Sequence, residues 1–256
     1  MAEHDFRLTT AALDIVWHDR ELGTMPYPVD LQSHGRTMAE RAALRDAVHA
    51  DLTADGLLQR GRLEPDLEDL LSVLSKPHLV LDVVGYTDRP LRAVAATDGM
   101  SAALVVLDGD VAGISAIRTT GLASAVVGLL PSRPAGDGHA MTVPLAAFSQ
   151  AIDRDEPFAD PDRDERSALV HAGVARRESR ELVDLAASRV AGGQFGVSRS
   201  EPYRSDRYRC GSVVSWFDTD RGRYLAVPDG TWLSIAPTDS ARLAARIDTL
   251  LAAAQA

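Results

Sequence analysis

Val106-Leu107-Asp108-Gly109 and Val227-Pro228-Asp229-Gly230 stand 121 positions apart (106 to 227), and the same shift carries residues 93–130 onto 214–251 with their punctuation in step. Ile114 falls on Ile235, and Leu122, Val126, Leu129 and Leu130 fall on Leu243, Ile247, Leu250 and Leu251. Each copy reads strand, strand, turn, strand, helix. A unit written twice over this length predicts a pseudo-two-fold architecture. The alternative is a chance overlap of two Val/Ala/Leu-rich segments, which would leave the halves unrelated.

Working outward from the first copy, residues 79–84 read as a strand, 85–90 as a turn and 91–96 as the next strand. Asp98-Gly99 and Asp108-Gly109 are hairpin signals, so three successive runs form an antiparallel meander. Thr120 is expected to cap the closing helix and Pro131 to end it. Upstream the apolar period is helical. Thr9 and Thr10 open a helix to about Leu22, a second runs from Thr37 to Thr53, and a third starts at Pro65 and stops before Pro77.

Downstream, 131–138 is rich in Pro, Gly and Ser and reads as a linker. A short helix over 144–152 and an acidic loop over 153–164 follow. The longest helix is expected over 167–190, closed by Gly192-Gly193. Strands at 194–198, 210–218, 222–227 and 231–236 then complete the second set, with Thr238 capping the last helix.

Meanders segregated from helices define an α+β chain with a central, mainly antiparallel sheet built from two quasi-symmetric halves and flanked by helical bundles. Pairing the meanders edge to edge would protect two otherwise open strands. The expected organisation is a single domain over 1–256, with half one at 1–131, a linker at 132–143 and half two at 144–256.

The chain carries 27 basic and 37 acidic side chains for a formal net charge of -10. That balance disfavours nucleic acid or an anionic membrane as partner, since both require phosphate neutralisation. Cys210 is the single cysteine, which excludes an intramolecular disulfide and a thiolate cluster and fits a reducing compartment. Neither a signal peptide nor an uninterrupted apolar stretch of about 18 residues is legible, so the expectation is a cytoplasmic protein.

Catalytic and metal motifs are equally scarce. The seven histidines are scattered singly, without ligand spacing, so no metal is expected. Phosphate-binding glycine loops and GxSxG are absent, and no cofactor is expected. Cys210 suits a small buried hydrophobe better than a nucleophile. The run Glu64, Asp66, Glu68 and Asp69 complements a helix N-terminus. Arg199, Arg204, Arg207, Arg209, Arg221 and Arg223 are interleaved with Tyr203, Tyr208, Trp216, Phe217 and Tyr224. That segment reads as a solvated strand edge or protein-contact surface rather than a nucleic-acid site.

Several segments together resemble the EspG family, cytosolic chaperones of actinobacterial type VII (ESX) secretion. They are Leu8-Thr9 through Leu13 and Trp17 before Pro26, the helix entry from Gly35 to Arg41, and Asp51-Leu52 to Gly56-Leu57. The late run Asp218-Thr219-Asp220-Arg221-Gly222-Arg223-Tyr224-Leu225 and then Thr231-Trp232-Leu233-Ser234-Ile235-Ala236-Pro237 completes the set.

The resemblance implies binding rather than catalysis: capture of the hydrophobic tip of a PPE protein in a PE-PPE heterodimer, which is kept soluble and delivered for export. It implies that Tyr86, Thr87, Asp88 and Arg89, in a loop shorter than is common in the family, contact the partner. Arg199, Ser200, Glu201 and the exposed face of the 167–190 helix would form the other side. A monomer or weak homodimer is expected. Two other readings stay open: a small-molecule enzyme on an uncharacterised α+β scaffold, with Asp82, His139 or His171 as acid-base groups, and a self-associating scaffold.

Overall fold

The computed structural model describes residues 5–29, 31–146, 167, 169–171, 173–200 and 207–255. Its centre is a ten-stranded sheet in the order β1-β7-β6-β5-β4-β9-β10-β11-β12-β8. The first half contributes β1 (Phe6–Thr9), β4 (Leu79–Tyr86), β5 (Pro90–Thr97), β6 (Ala102–Asp108) and β7 (Val111–Ile117). The second contributes β8 (Met141–Pro144), β9 (Arg189–Ser200), β10 (Arg207–Thr219), β11 (Gly222–Asp229) and β12 (Trp232–Pro237). A separate ribbon joins β2 (Leu58–Gln59) to β3 (Arg62–Leu63).

All the pairings in the large sheet are antiparallel, and the halves join where β4 pairs with β9. From that seam outward each half repeats one plan: a meander closed by a short edge strand, β1 on one side and β8 on the other. The 121-position shift places β6 on β11 and β7 on β12, and Gly109 and Gly230 both adopt φ 58°. That left-handed conformation is nearly free of strain only for glycine, so the two tightest turns of the repeat share one cause.

The helices are α1 (Thr10–Asp19), α2 (Met38–Ala54), α3 (Pro65–Ser75), α4 (Leu122–Val127), α5 (Arg176–Ala187) and α6 (Ser240–Gln255). The expected starts of the first three are met. Thr9 Oγ1 accepts from the Ala12 N–H, Thr37 and Glu40 form a capping box, and Pro65 occupies the first turn of α3. Two expected caps move by one residue. Gly121 precedes α4 with no side-chain cap, and the carboxylate of Asp239, rather than Thr238, receives the Arg242 N–H ahead of α6.

Period-two alternation sorts the strands onto two faces. One face, with Leu81, Val83, Phe195, Val197, Val214 and Trp216, spans both halves and is covered by α4 and α6. The opposite face carries two separate cores. Val80, Val94, Val105 and Ile114 pack in one core with α1, α2 and α3, while Tyr224, Ala226, Leu233 and Ile235 share the other with α5 and the helical turn at Leu169. Between these cores the middle of the sheet is left uncovered by helix among the described residues.

Two expectations are corrected. The helix expected over 167–190 is interrupted: Gly173 turns at φ 94°, α5 runs only from Arg176 to Ala187, and β9 begins at Arg189. Gly192 and Gly193 therefore lie inside a strand. A Cβ on Gly193 would stand 2.5 Å from the Val84 carbonyl oxygen, and one on Gly85 2.6 Å from that of Gly192. These glycines permit a close seam instead of stopping a helix.

The linker is also not free. Pro134 and Gly136 exchange backbone hydrogen bonds with Arg223, and a Cβ on Gly136 would fall 2.1 Å from the Tyr224 ring. Of the short helix expected over 144–152, Pro144 still belongs to β8 while residues 145 and 146 are helical. Its remainder from 147 on, and the acidic loop at 153–164, lie outside the described residues.

Candidate functional site

The uncovered middle of the sheet is an open groove of about 810 Å³. Its floor is built from groove-facing residues of β4, β9 and β10: Val84, Gln194, Val213, Ser215 and Phe217, with Leu145 and Leu233 on the second-half side. The first-half side is bordered by the segment 24–28. Both Nε and Nη2 of Arg92 donate to the Pro28 carbonyl, at 2.9 and 2.6 Å, and Arg207 donates to the Thr24 carbonyl. Tyr27 on that segment, and Tyr86 and Val190 at the end of the floor, are each 54% exposed. Tyr86 and Val190, two large side chains left in water at one concavity, mark a surface for an apolar partner.

Further along the floor lies a charged pair. Arg209 on β10 reaches across β9 to Asp82 on β4. It can do so because position 196 is glycine; a Cβ there would coincide with the guanidinium, 1.9 Å from Nη2. Asp82 is buried, and its Oδ1 has no hydrogen-bond partner among the described residues. Burial drives its carboxyl above the ordinary carboxylate range, against the opposing pull of the Arg209 hydrogen bond and charge.

Asp14 is the contrasting case. Burial raises it too, but hydrogen bonds from Arg41 and the His34 backbone prevail and hold it below the ordinary value. The signs follow from linkage. The Asp14 contribution is present above its unfolded value of 3.8 and is lost as pH falls through its lower folded value. The Asp82 contribution is complete below 3.8 and is lost as pH rises through its higher folded value. Asp82→Asn is therefore expected to gain stability relative to wild type as pH rises from about 4 to about 7. Paired thermal melts would register this on the scale of about 2–4 °C per kcal/mol. A pH-independent difference would refute the assignment.

The structure divides the residues expected to bind a partner between opposite ends of the sheet. Tyr86 pairs with Gly192 at one end, while Leu79 pairs with Arg199 at the other. The two sets are separated by about 24 Å along the strands at about 3.4 Å per residue.

Tyr86 borders the groove, but Thr87, Asp88 and Arg89 fold toward the β6–β7 turn. Arg89 pairs with Asp108 at 2.8 Å, and Thr87 Oγ1 donates to Asp88 Oδ1 at 2.9 Å. These three line a smaller cleft beside Leu129 and Leu130. Arg199 points to the opposite face, where it donates to the Ala254 carbonyl at the end of α6 and lies over the Tyr208 ring. Ser200 continues the seam through its N–H to the His78 carbonyl, and Glu201 lies outside the described residues.

The arginine-rich stretch is not one solvated edge. Arg223 is fully buried, held by Asp218 through two hydrogen bonds of 2.7 and 3.0 Å and donating to the Pro131 carbonyl. Arg207 and Arg209 face the groove, and Arg199 clamps α6. Sequence reasoning missed the Arg209–Asp82 pair because its partners are far apart in the chain; the one local signal was Gly196 within an otherwise β-rich run. Of the alternative acid-base groups, Asp82 is tied to Arg209, while His139 and His171 are exposed. Among the described residues no cluster of His, Cys, Asp or Glu could hold a metal ion, and no helix is long and apolar enough to cross a membrane.

The chain is thus an α+β protein with a pseudo-two-fold sheet and, among the described residues, an open groove between helical bundles. Its sequence matches the model of the EspG family over residues 9–249, and the chain belongs to that family. No curated protein sequence matches it. Among solved structures, it is similar to the type VII secretion system chaperone EspG5 of Mycobacterium tuberculosis in complex with the PE25-PPE41 dimer. The TM-score is 0.70 at 14% identity, over 96% of this chain and 95% of that chain. At that identity the likeness establishes a shared fold.

Proposed function

We propose that this protein is a cytosolic specificity chaperone of a type VII secretion system, acting by binding and not by catalysis. It takes the apolar tip of the PPE protein in a PE-PPE heterodimer into the central groove, keeps the pair soluble and delivers it for export. The observation that carries this reading is EspG family membership over residues 9–249, joined to a fold shared with a chaperone solved with a PE-PPE dimer. The groove supplies the means. Exposed Tyr86 and Val190 border a floor with polar Gln194 and Ser215, so an apolar tip is covered while its rim stays hydrated. An interface of about 1,600 Å² is compatible with specific capture and later release.

Co-expression with candidate PE-PPE pairs tests the proposal. A cognate pair should co-purify and gain solubility, and failure across a broad panel would refute it. Val84→Arg, which places a long cation on the groove floor, should weaken the complex by about 2 kcal/mol or more, roughly 30-fold, as measured by calorimetry. Unchanged affinity would place the interface elsewhere.

A further inference from the structure

Among the groove-facing residues of β4, β9 and β10, three are charged: Asp82, Arg207 and Arg209. The floor therefore carries an excess positive charge in a protein whose formal net charge is -10. The described lining of the adjoining groove adds Arg189 and no acidic side chain.

Among the described residues neither arginine has a full set of acceptors. Nη1 of Arg207 is buried with no hydrogen-bond partner among those residues, and its Nη2 reaches the Thr24 carbonyl, an uncharged acceptor. Burial lowers the Arg207 pKa, as it does for a cation short of counter-charge. Arg209 is held by one hydrogen bond to Asp82, and its side chain remains 36% exposed. Two guanidinium groups at positions i and i+2 of one strand, about 7 Å apart on the groove face and further along β10 from its Val213 lining, thus hold donors short of acceptors, one buried on Arg207 and the others on the partly exposed Arg209. A buried cation without an acceptor is costly alone and favourable once a carboxylate reaches it.

We propose that Arg207 and Arg209 form a cationic subsite on the groove floor that selects a partner tip carrying a carboxylate among its apolar residues. This rests on the groove being the partner site. The apolar rim supplies contact area, and the arginine pair supplies the discrimination between acidic and neutral or basic tips.

The test uses three amphipathic 18-residue peptides that differ only in a central Glu, Gln or Lys on the Leu/Ala face, with binding read by fluorescence anisotropy. The Glu peptide should bind about tenfold tighter than the Gln peptide, the scale of one charge-assisted hydrogen bond, and the Lys peptide weakest. The preference should fall below about twofold in Arg207→Gln and in the double variant Asp82→Asn/Arg209→Gln. The double variant removes both members of the pair, so neither charge is left alone, and circular dichroism checks that the fold is retained. Equal or reversed peptide affinities, or no binding by any of the three, would overturn the subsite.

The chaperone reading is decided separately. A PE-PPE pair that co-purifies equally with wild type and both variants overturns the subsite and leaves that reading standing. Glu selectivity without any co-purifying pair supports the subsite and counts against the reading.

Discussion

Asp218→Ala is expected to lower the free energy of unfolding by about 3–5 kcal/mol, the cost of leaving a buried charge without its partner. The Asp218 and Arg223 side chains are 1% and 0% exposed. The Arg223 guanidinium also donates to the Pro131 carbonyl and to Ser240 Oγ and lies over the Trp216 ring. One buried cation thus joins the segment after α4 to the start of α6. Removing Asp218 leaves that cation in an apolar shell with uncharged acceptors. Urea unfolding of the variant checks the value, and a loss under about 1 kcal/mol would mean that those acceptors already satisfy Arg223. Replacing both members by apolar residues of similar volume should recover much of the loss, because desolvation of the pair offsets most of its attraction.

Phe195→Ala is the second large effect, again about 3–5 kcal/mol through the cavity left by a fully buried aromatic. Phe195 stands opposite Val83 of the first half and Val214 of the second, at the seam of the repeat. The loss should appear in one cooperative transition with an unchanged urea slope if the halves unfold as one domain over 1–256. Two separated transitions would show two units that merely touch.

Much of the fold was legible in the sequence because its signals are local. Asp-Gly turns, the Thr37 to Glu40 cap and the Pro65 start each act within a few residues, and the repeat made the strand order of one half a template for the other. The misread region, 167–190, shows the limit. Apolar residues at helical spacing and a closing glycine pair fit one long helix, yet the turn at Gly173 splits it, α5 ends at Ala187, and Gly192 and Gly193 serve strand-to-strand approach. Arg199 and Arg223 could not be placed for a related reason. A strand position fixes which face an arginine takes, but the sequence does not say whether a carboxylate 5 residues away or a carbonyl 55 residues away will receive it.

The seam carries one more consequence. A groove centred on a two-fold axis offers any visitor two equivalent ways to enter, rotated half a turn, and a chaperone that presents its cargo to a machine must forbid one of them. Val83 pairs with Ala93 in one half and Phe195 with Val214 in the other, so Tyr86 of β4 answers to Ser198 of β9, an exposed aromatic set against a small hydroxyl. The backbone keeps its symmetry while the side chains break it, so the two ways of entering cease to be equivalent.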